Sequence, residues 1–310
     1  MNSRKEPLVS IGLPVYNGEK YIERAIKALL CQTFENYELI ISDNYSSDQT
    51  SDICQVYCRA DHRIQYIRQS QNRGAVFNFQ YVLDKAKGKY FMWAAHDDWW
   101  APSFVSEMVA LLEDNPTCVL AFSRMQHVDV LGNVFRDYPC ITELSGVNLD
   151  SREPTVSSLK KYLLQNIVQG KVNLIYGLIR RETLNRSNVW NDWGYFGWGA
   201  DLLIVLQILR YGDACINDKI LFRKTEEPAS EGSLKNYVKS NNPFKMIKGL
   251  FATWFSYNKY CHGIWCVLRP RPETRHISLK FRIIATYREL MRSNIAFLYQ
   301  ASKNLVTRLN

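Results

Sequence analysis

Two adjacent carboxylates, Asp97 and Asp98, interrupt the run Lys89–Trp100, KYFMWAAHDDWW, just after an apolar stretch from Tyr90 to Ala95. Side-by-side acids repel each other and need a cation or hydrogen-bond donors to stay ionised. Hard divalent cations that bridge phosphates are held by one or two protein carboxylates plus the phosphate oxygens. The pair therefore has two readings, a metal–diphosphate site or a solvated turn whose Asp caps the helix opening at Pro102-Ser103. A second chemical stretch is Trp190–Leu202, WNDWGYFGWGADL, where aromatic rings alternate with glycines ahead of Asp201. Aromatic faces beside glycines suit a sugar or ring pocket, for which Trp193, Trp198 and Gly199 are the candidate acceptor-side residues. Asp201 stands where an apolar helix begins, for which an ordinary N-cap is the plain reading.

Elements able to position these groups can be read along the chain. Leu8–Leu13 predicts a strand ended by Pro14, then a loop, then a helix from Glu19 with apolar residues three and four apart. Strands over Tyr37–Ser42 and Ile64–Arg68 follow, with a helix to about Ala60 between them. The loop Gln71-Asn72-Arg73-Gly74 leads to a helix over Val76–Lys87 and then to the strand carrying the acid pair. Such alternation predicts a mostly parallel sheet with helices on both faces. It also predicts that Pro14–Tyr16, Asp43, Arg73 and Asp97–Asp98 meet at one edge, where open α/β sheets bind ligands. An aromatic ring, an acid at a strand end, an arginine and an acid pair would together suit a nucleotide.

Farther on, a helix (Ser103–Asp114), a strand (Cys118–Phe122) and a hairpin around Leu131-Gly132-Asn133 are expected. Asp137–Val156 reads as an irregular loop, Ser157–Gln169 as a helix, Leu174–Ile179 as a strand and Ala214–Phe222 as a last strand. Thr225–Ser233 reads as a flexible connector or lid. The expected division is a body of residues 1–233, with a nucleotide half near 7–125 and an acceptor half near 126–233, and a helical extension over 234–310.

Charge supports that division. From Phe244 onward five Lys and seven Arg face only Glu273 and Glu289, an excess above the net +9 of the whole chain, so the body is close to neutral. Leu279–Leu298 has apolar residues at helical spacing among Lys280, Arg282, Arg288 and Arg292. That pattern fits a helix lying on an anionic membrane surface, or an appendage packed on the body or on a second copy as a homodimer. A bilayer-spanning reading of Met246–Leu268 fails on Lys248, Lys259 and His262. The eight cysteines lack metal-ligand spacing and read as packing residues; with MNSRKEPL running straight into a strand, a reduced cytoplasmic compartment is expected, at most peripheral to the membrane's inner face. Neither G-x-G-x-x-G nor G-K-[ST] occurs, which removes dinucleotide dehydrogenases and P-loop enzymes.

The residues Val9–Gly18 (VSIGLPVYNG), Tyr21-Ile22 and Gln32–Asp48 (QTFENYELIISDNYSSD) resemble the amino-terminal signature of the family-2 inverting glycosyltransferases of GT-A fold. Asn72-Arg73-Gly74, Asp97-Asp98, Ile179-Arg180-Arg181-Glu182 and Gly199-Ala200-Asp201-Leu202 fall in that family's order, so the resemblance covers about residues 8–223. It implies a GT-A-type α/β sheet, a nucleoside-diphosphate sugar donor of UDP or dTDP type, and a Mn2+ or Mg2+ cofactor. It places Pro14, Val15, Tyr16, Asp43, Arg73 and Asp97 at the donor nucleotide, Asp98 at the metal, and Asp201 as the catalytic base. The acceptor it implies is a glycan or lipid-linked envelope precursor, and no nucleic-acid partner is expected. A non-catalytic scaffold on the same fold and a sugar nucleotidyltransferase are the competing readings; the latter wants more glycine after the first strand than LPVYNG offers. Ala95 stands where many members carry a further acid, and no His follows Phe222-Arg223-Lys224-Thr225.

Overall fold

The computed structural model describes residues 6–150, 157–165, 169–187, 199–226, 259–269 and 286–287. Its centre is a nine-stranded α/β sheet with helices packed against it, most of whose paired residues lie in parallel ladders. In chain order the strands are β1 (Val9–Val15), β2 (Tyr37–Asp43), β3 (Ile64–Arg68), β4 (Tyr90–Trp93), β5 (Trp99–Trp100), β6 (Cys118–Val128), β7 (Val134–Asp137), β8 (Leu178–Arg180) and β9 (Asp213–Thr225). Across the sheet they run β3-β2-β1-β4-β8-β6-β9-β5, with β7 paired to β6. β1, β2, β3 and β4 are parallel, as are β6 and β9, and β8 is inserted antiparallel between β4 and β6. The order reverses beside β1, with β2 on one side and β4 on the other. Ligands of open α/β sheets bind at the strand carboxyl ends beside such a reversal.

The helices are α1 (Ile22–Leu30), α2 (Thr50–Ala60), α3 (Ala75–Lys85), α4 (Phe104–Asp114), α5 (Ser158–Leu164), α6 (Arg181–Ser187) and α7 (Ala200–Ile208). In α1 the residues at three- and four-residue spacing, Ile22, Ala25, Ile26 and Leu29, are all buried, as the sequence pattern requires. α7 is different: Leu202 through Ile208 are buried on every side. A helix apolar all round belongs in a core, so its first turn, which carries Asp201, is held rigidly.

Several boundaries depart from the sequence reading. β1 runs through Pro14 to Val15. Even-numbered residues of β1 face β4, as the Ala94 N–H to Gly12 carbonyl bond shows, and β4 has ended by Trp93. The missing N–H of Pro14 therefore costs no ladder bond. The expected strand Leu174–Ile179 is a 3-10 turn over Lys171–Tyr176 followed by the short β8. Gly177 joins that turn to β8 at a place where a Cβ would lie 2.6 Å from the Ala121 carbonyl oxygen, so only glycine lets the two backbones approach. Part of the expected loop after Asp137 is a 3-10 turn over Pro139–Leu144 that buries Ile141 and Leu144. Thr225, expected in a flexible connector, is the buried last residue of β9. Two cysteines expected only to pack, Cys118 and Cys215, join β6 to β9 as a disulfide. Tyr260 and Ile264 of the helical stretch 259–267 belong to the main core, so this part of the basic extension packs on the body. The tail helix expected over Leu279–Leu298 lies almost wholly outside the described residues.

Candidate active site

The carboxyl ends of β1 and β2 are tied together by a residue the sequence reading passed over. Asn44, buried after β2, donates its backbone N–H to the Val15 carbonyl at 2.8 Å. Its side-chain oxygen accepts the Arg73 backbone N–H at 3.0 Å, and its amide donates to Asn72 at 2.8 Å. One amide thus fixes β1, β2 and the Arg73 loop relative to each other, which is how residues far apart in sequence reach one rim. Tyr16 and Tyr45 are exposed there, 47% and 51%, as large apolar rings seldom are without a partner. Tyr45 and Asn17 both hold positive φ, +68° and +50°. Non-glycine residues in that region concentrate at ligand sites.

Asp43 is fully buried, accepting the Ser46 N–H at 2.8 Å and the Tyr66 hydroxyl at 2.8 Å, with the Arg68 guanidinium 3.6 Å away. Arg73 lies with its guanidinium 3.7 Å from the centre of the Phe77 ring and is exposed. Pro14 and Val15 are buried in β1, and Val15 offers its carbonyl to Asn44 and Asn78 rather than its side chain to solvent.

The acid pair divides into two unlike residues. Asp97 is half-buried, and its backbone carbonyl accepts from Arg24 of α1 at 2.7 Å. The same guanidinium nitrogen donates to the Thr225 hydroxyl at 2.8 Å, locking α1, the acid loop and the end of β9 together. Asp98 is fully buried: one oxygen accepts the Thr225 N–H at 3.1 Å and the other faces the Lys224 ammonium at 3.4 Å. Burial pushes the Asp98 carboxyl up to about 7, with the Lys224 charge opposing and Asp97 reinforcing the shift. Burial alone would lower Lys224, but the nearby carboxyls of Asp98 and Asp97 and the Tyr176 ring beside it outweigh burial and keep the ammonium protonated.

Lys224 also ties in the second chemical stretch. Its ammonium lies 4.7 Å from the centre of the Tyr176 ring, and Tyr176 is influenced electrostatically by Asp97, Asp98 and Asp201 alike. Asp201 is half-buried in the first turn of α7; its Oδ1 accepts the Leu202 N–H at 2.9 Å. The helix N-cap is Gly199, so Asp201 is not the N-cap residue, although its Oδ1 satisfies one of the unpaired N–H groups of the first turn. Burial raises the Asp201 carboxyl above its ordinary value, and Lys224 acts against that shift. Tyr176 is thus coupled electrostatically to Asp97, Asp98 and Asp201, and Lys224 to the same three acids.

Gly199 does not fit its expected place on an open pocket wall. It is buried with φ +86°, and a Cβ there would meet the Tyr260 ring at 3.0 Å. Its part is to turn the chain into α7. Trp193 and Trp198 lie outside the described residues.

Asp98 does not fit its expected place as a metal ligand either. Both its oxygens are engaged and it has no exposed surface, and no cluster of three His, Cys, Asp or Glu side chains that could hold an ion occurs among the described residues. Lys224 was visible in the sequence only as the residue beside a missing His. Arg24, Tyr66 and Asn44 carried no signal at all, since their partners are 23 to 201 residues away.

Residues 10–176 match the family model described as glycosyl transferase family 2. The chain belongs to glycosyl transferase family 2. Among relatives of this glycosyltransferase, the putative teichuronic acid biosynthesis glycosyltransferase TuaG of Bacillus subtilis is 32% identical over 270 residues, 85% of this chain and 94% of that one. The uncharacterized glycosyltransferase RT0329 of Rickettsia typhi is 36% identical over 106 residues, about a third of each chain (34% and 32%). The fold is that of S. aureus TarS 1-349 in complex with UDP-GlcNAc, with a TM-score of 0.57 at 15% identity over 94% of this chain and 81% of that one. It is also that of the mannosyltransferase PcManGT from Pyrobaculum calidifontis in complex with GDP-Man and Mn2+, with a TM-score of 0.52 at 15% identity over 97% and 88%. The GT-A architecture expected from the sequence is thus the architecture found.

Proposed function

We propose that this family-2 glycosyltransferase moves a sugar from a nucleoside-diphosphate sugar, of UDP or dTDP type, to a hydroxyl of a cell-envelope glycan or lipid-linked precursor, with inversion. The observation that carries the reading is the coupling of the two acid sites. Asp97, just after β4 at the carboxyl edge of the sheet, and Asp201, on a rigid buried helix, are both coupled electrostatically to Tyr176 and Lys224. Asp201 takes the proton from the acceptor hydroxyl as its oxygen attacks the anomeric carbon, and the bond from that carbon to the diphosphate oxygen breaks. A base positioned in this way contributes roughly 10²–10⁴-fold. Its raised proton affinity suits the task, because a carboxylate of ordinary acidity is a poor acceptor for a hydroxyl proton. Tyr16 and Arg73 are exposed at the rim where the nucleoside and its first phosphate would lie, the buried Asp43 bracing the loop behind them through Ser46, and Asp97 is the carboxylate of the pair with exposure enough to meet the donor.

The family and the Mn2+-bound neighbour suggest use of a divalent ion. Bound at a donor, such an ion would neutralise diphosphate charge. The Asp98 carboxylate is already committed to Thr225 and Lys224, so no step is routed through an ion held there. The envelope acceptor is supported by similarity to TuaG and by the basic tail, which suits an anionic membrane face. Among the described residues no helix is long and apolar enough to cross a membrane.

A thermal-shift panel of UDP-, dTDP- and GDP-sugars tests the donor, since a ligand that binds only the native state raises its melting temperature. A rise with at least one sugar nucleotide is expected. No rise with any of them, with or without Mn2+ or Mg2+, would remove the proposal.

A further inference from the structure

We infer that the Lys224 ammonium is the built-in cation that faces the donor's diphosphate, filling the place where a metal held by Asp98 was expected. The inference rests on the glycosyl-transfer reading and names a residue for it.

Charge balance sets the problem. Asp98 lies against Lys224 at 3.4 Å, Asp97 and Asp201 act on the same ammonium, and a diphosphate brought there adds more negative charge. Like charges gathered at such distances disfavour binding unless a cation lies among them. Two cationic side chains reach the acid pair from opposite elements. Arg24 comes from α1, but one of its guanidinium nitrogens is spent on two neutral oxygens, the Asp97 carbonyl and the Thr225 hydroxyl. It braces the loop. Lys224 comes from the end of β9, paired in register with His127 of β6, and is placed by the longest parallel ladder of the sheet.

Among the described residues Lys224 has fewer hydrogen-bond partners than it has donors. An ammonium has three N–H donors. Its distance to Asp98 Oδ2, 3.4 Å, is longer than the roughly 2.7–2.9 Å of a tight charge-assisted bond. It also lies over the face of Tyr176, which attracts a cation without consuming a donor. The side chain is 26% exposed, while its Asp98 partner is wholly buried. Lys224 therefore forms the boundary between a sealed carboxylate and the exposed surface, its charge held protonated by the acids around it. Asp98 and the Tyr176 ring act as positioning groups: they aim the ammonium and do not themselves meet the donor. The residues that would otherwise complete a metal site point the same way, with Ala95 in place of an acid and no His in the run Phe222–Glu227.

The test is calorimetric titration of the full chain with UDP, dTDP and GDP, in EDTA and again in Mn2+, followed by the tightest ligand on Lys224→Met. The matching nucleoside monophosphate serves as the control for base and ribose contacts. Expected is binding of the diphosphate in EDTA within about threefold of that in Mn2+, and a loss of about tenfold or more in Lys224→Met, where tenfold is ~1.4 kcal/mol. The monophosphate should change by less than about threefold. Because Lys224→Met leaves Asp98 buried without its cation, the double variant Asp98→Asn/Lys224→Met is titrated as well; it removes both charges and should show the same loss. Diphosphate binding only in Mn2+, or unchanged affinity in the double variant, overturns the role of Lys224 while leaving the transferase reading standing. If no nucleoside diphosphate binds in either buffer, the donor reading fails and this inference with it.

Discussion

Replacing Asp98 by alanine separates an architectural acid from a ligand-binding one. The side chain is fully buried, accepts the Thr225 N–H at 3.1 Å and faces Lys224 at 3.4 Å. Alanine would strand a buried backbone donor, which costs about 1–3 kcal/mol. It would also remove one partner of a largely buried ion pair, typically about 3–5 kcal/mol. These contributions overlap, because both arise from the same carboxylate, so the expected loss is about 3–5 kcal/mol and not their sum. For a chain of this size that is a fall in melting temperature on the order of 6–20 °C. Asp98→Asn keeps an oxygen for Thr225 and should lose less. Asp97→Ala, at a half-buried side chain, should stay within about 0.5–1 kcal/mol of wild type. Thermal unfolding followed by circular dichroism, with the three variants scanned side by side, reads the difference. Equal stability of Asp98→Ala and Asp97→Ala would refute the assignment of Asp98 to the architecture.

Other expectations follow from the same contacts. Tyr66→Phe removes the hydroxyl that Asp43 accepts at 2.8 Å, a bond to a buried charge worth about 1.5–3 kcal/mol, and urea unfolding should show a loss of that order; an unchanged midpoint would count against it. Gly199→Ala forces a side chain into φ +86° against Tyr260 and should destabilise by about 1–3 kcal/mol, measured the same way. The rate should also depend on pH through Asp201. Its proton affinity is raised by burial, and a base acts only when deprotonated, so kcat should rise with pH and level off above that raised value. The acid limb is therefore expected above the ordinary carboxylate range near 4, and an inflection at or below that range would contradict the burial argument.

The first half of the fold was legible because its signals are local. Alternating apolar runs and helical spacing marked β1 to β4 and α1 to α3 within a few residues, and chain order alone brought Asp43 and Asp97 to one edge. Errors came where distant contacts decide. Pro14 stays in β1 because β4 ends early, and Lys171–Tyr176 coils instead of extending because Gly170 and Gly177 bracket it, with the buried Lys171 ammonium bonded to the Tyr162 and Gln165 carbonyls. The site shows the same division. The position of Asp201 at the start of an apolar helix was legible from its motif, but nothing local says that Asp98 is sealed under β9 or that Lys224, 126 residues later, faces it. Pairing between an acid and a base at that separation exists only once the sheet has formed.

The central claim is that Asp201, coupled electrostatically to Lys224, is the base of a glycosyl transfer. It is tested most directly by release of nucleoside diphosphate from the sugar nucleotide that binds best, measured for wild type and Asp201→Asn beside calorimetric affinity for the same donor. The account predicts donor affinity within about threefold of wild type and a rate lower by roughly 10²–10⁴-fold. Full turnover by Asp201→Asn would contradict it.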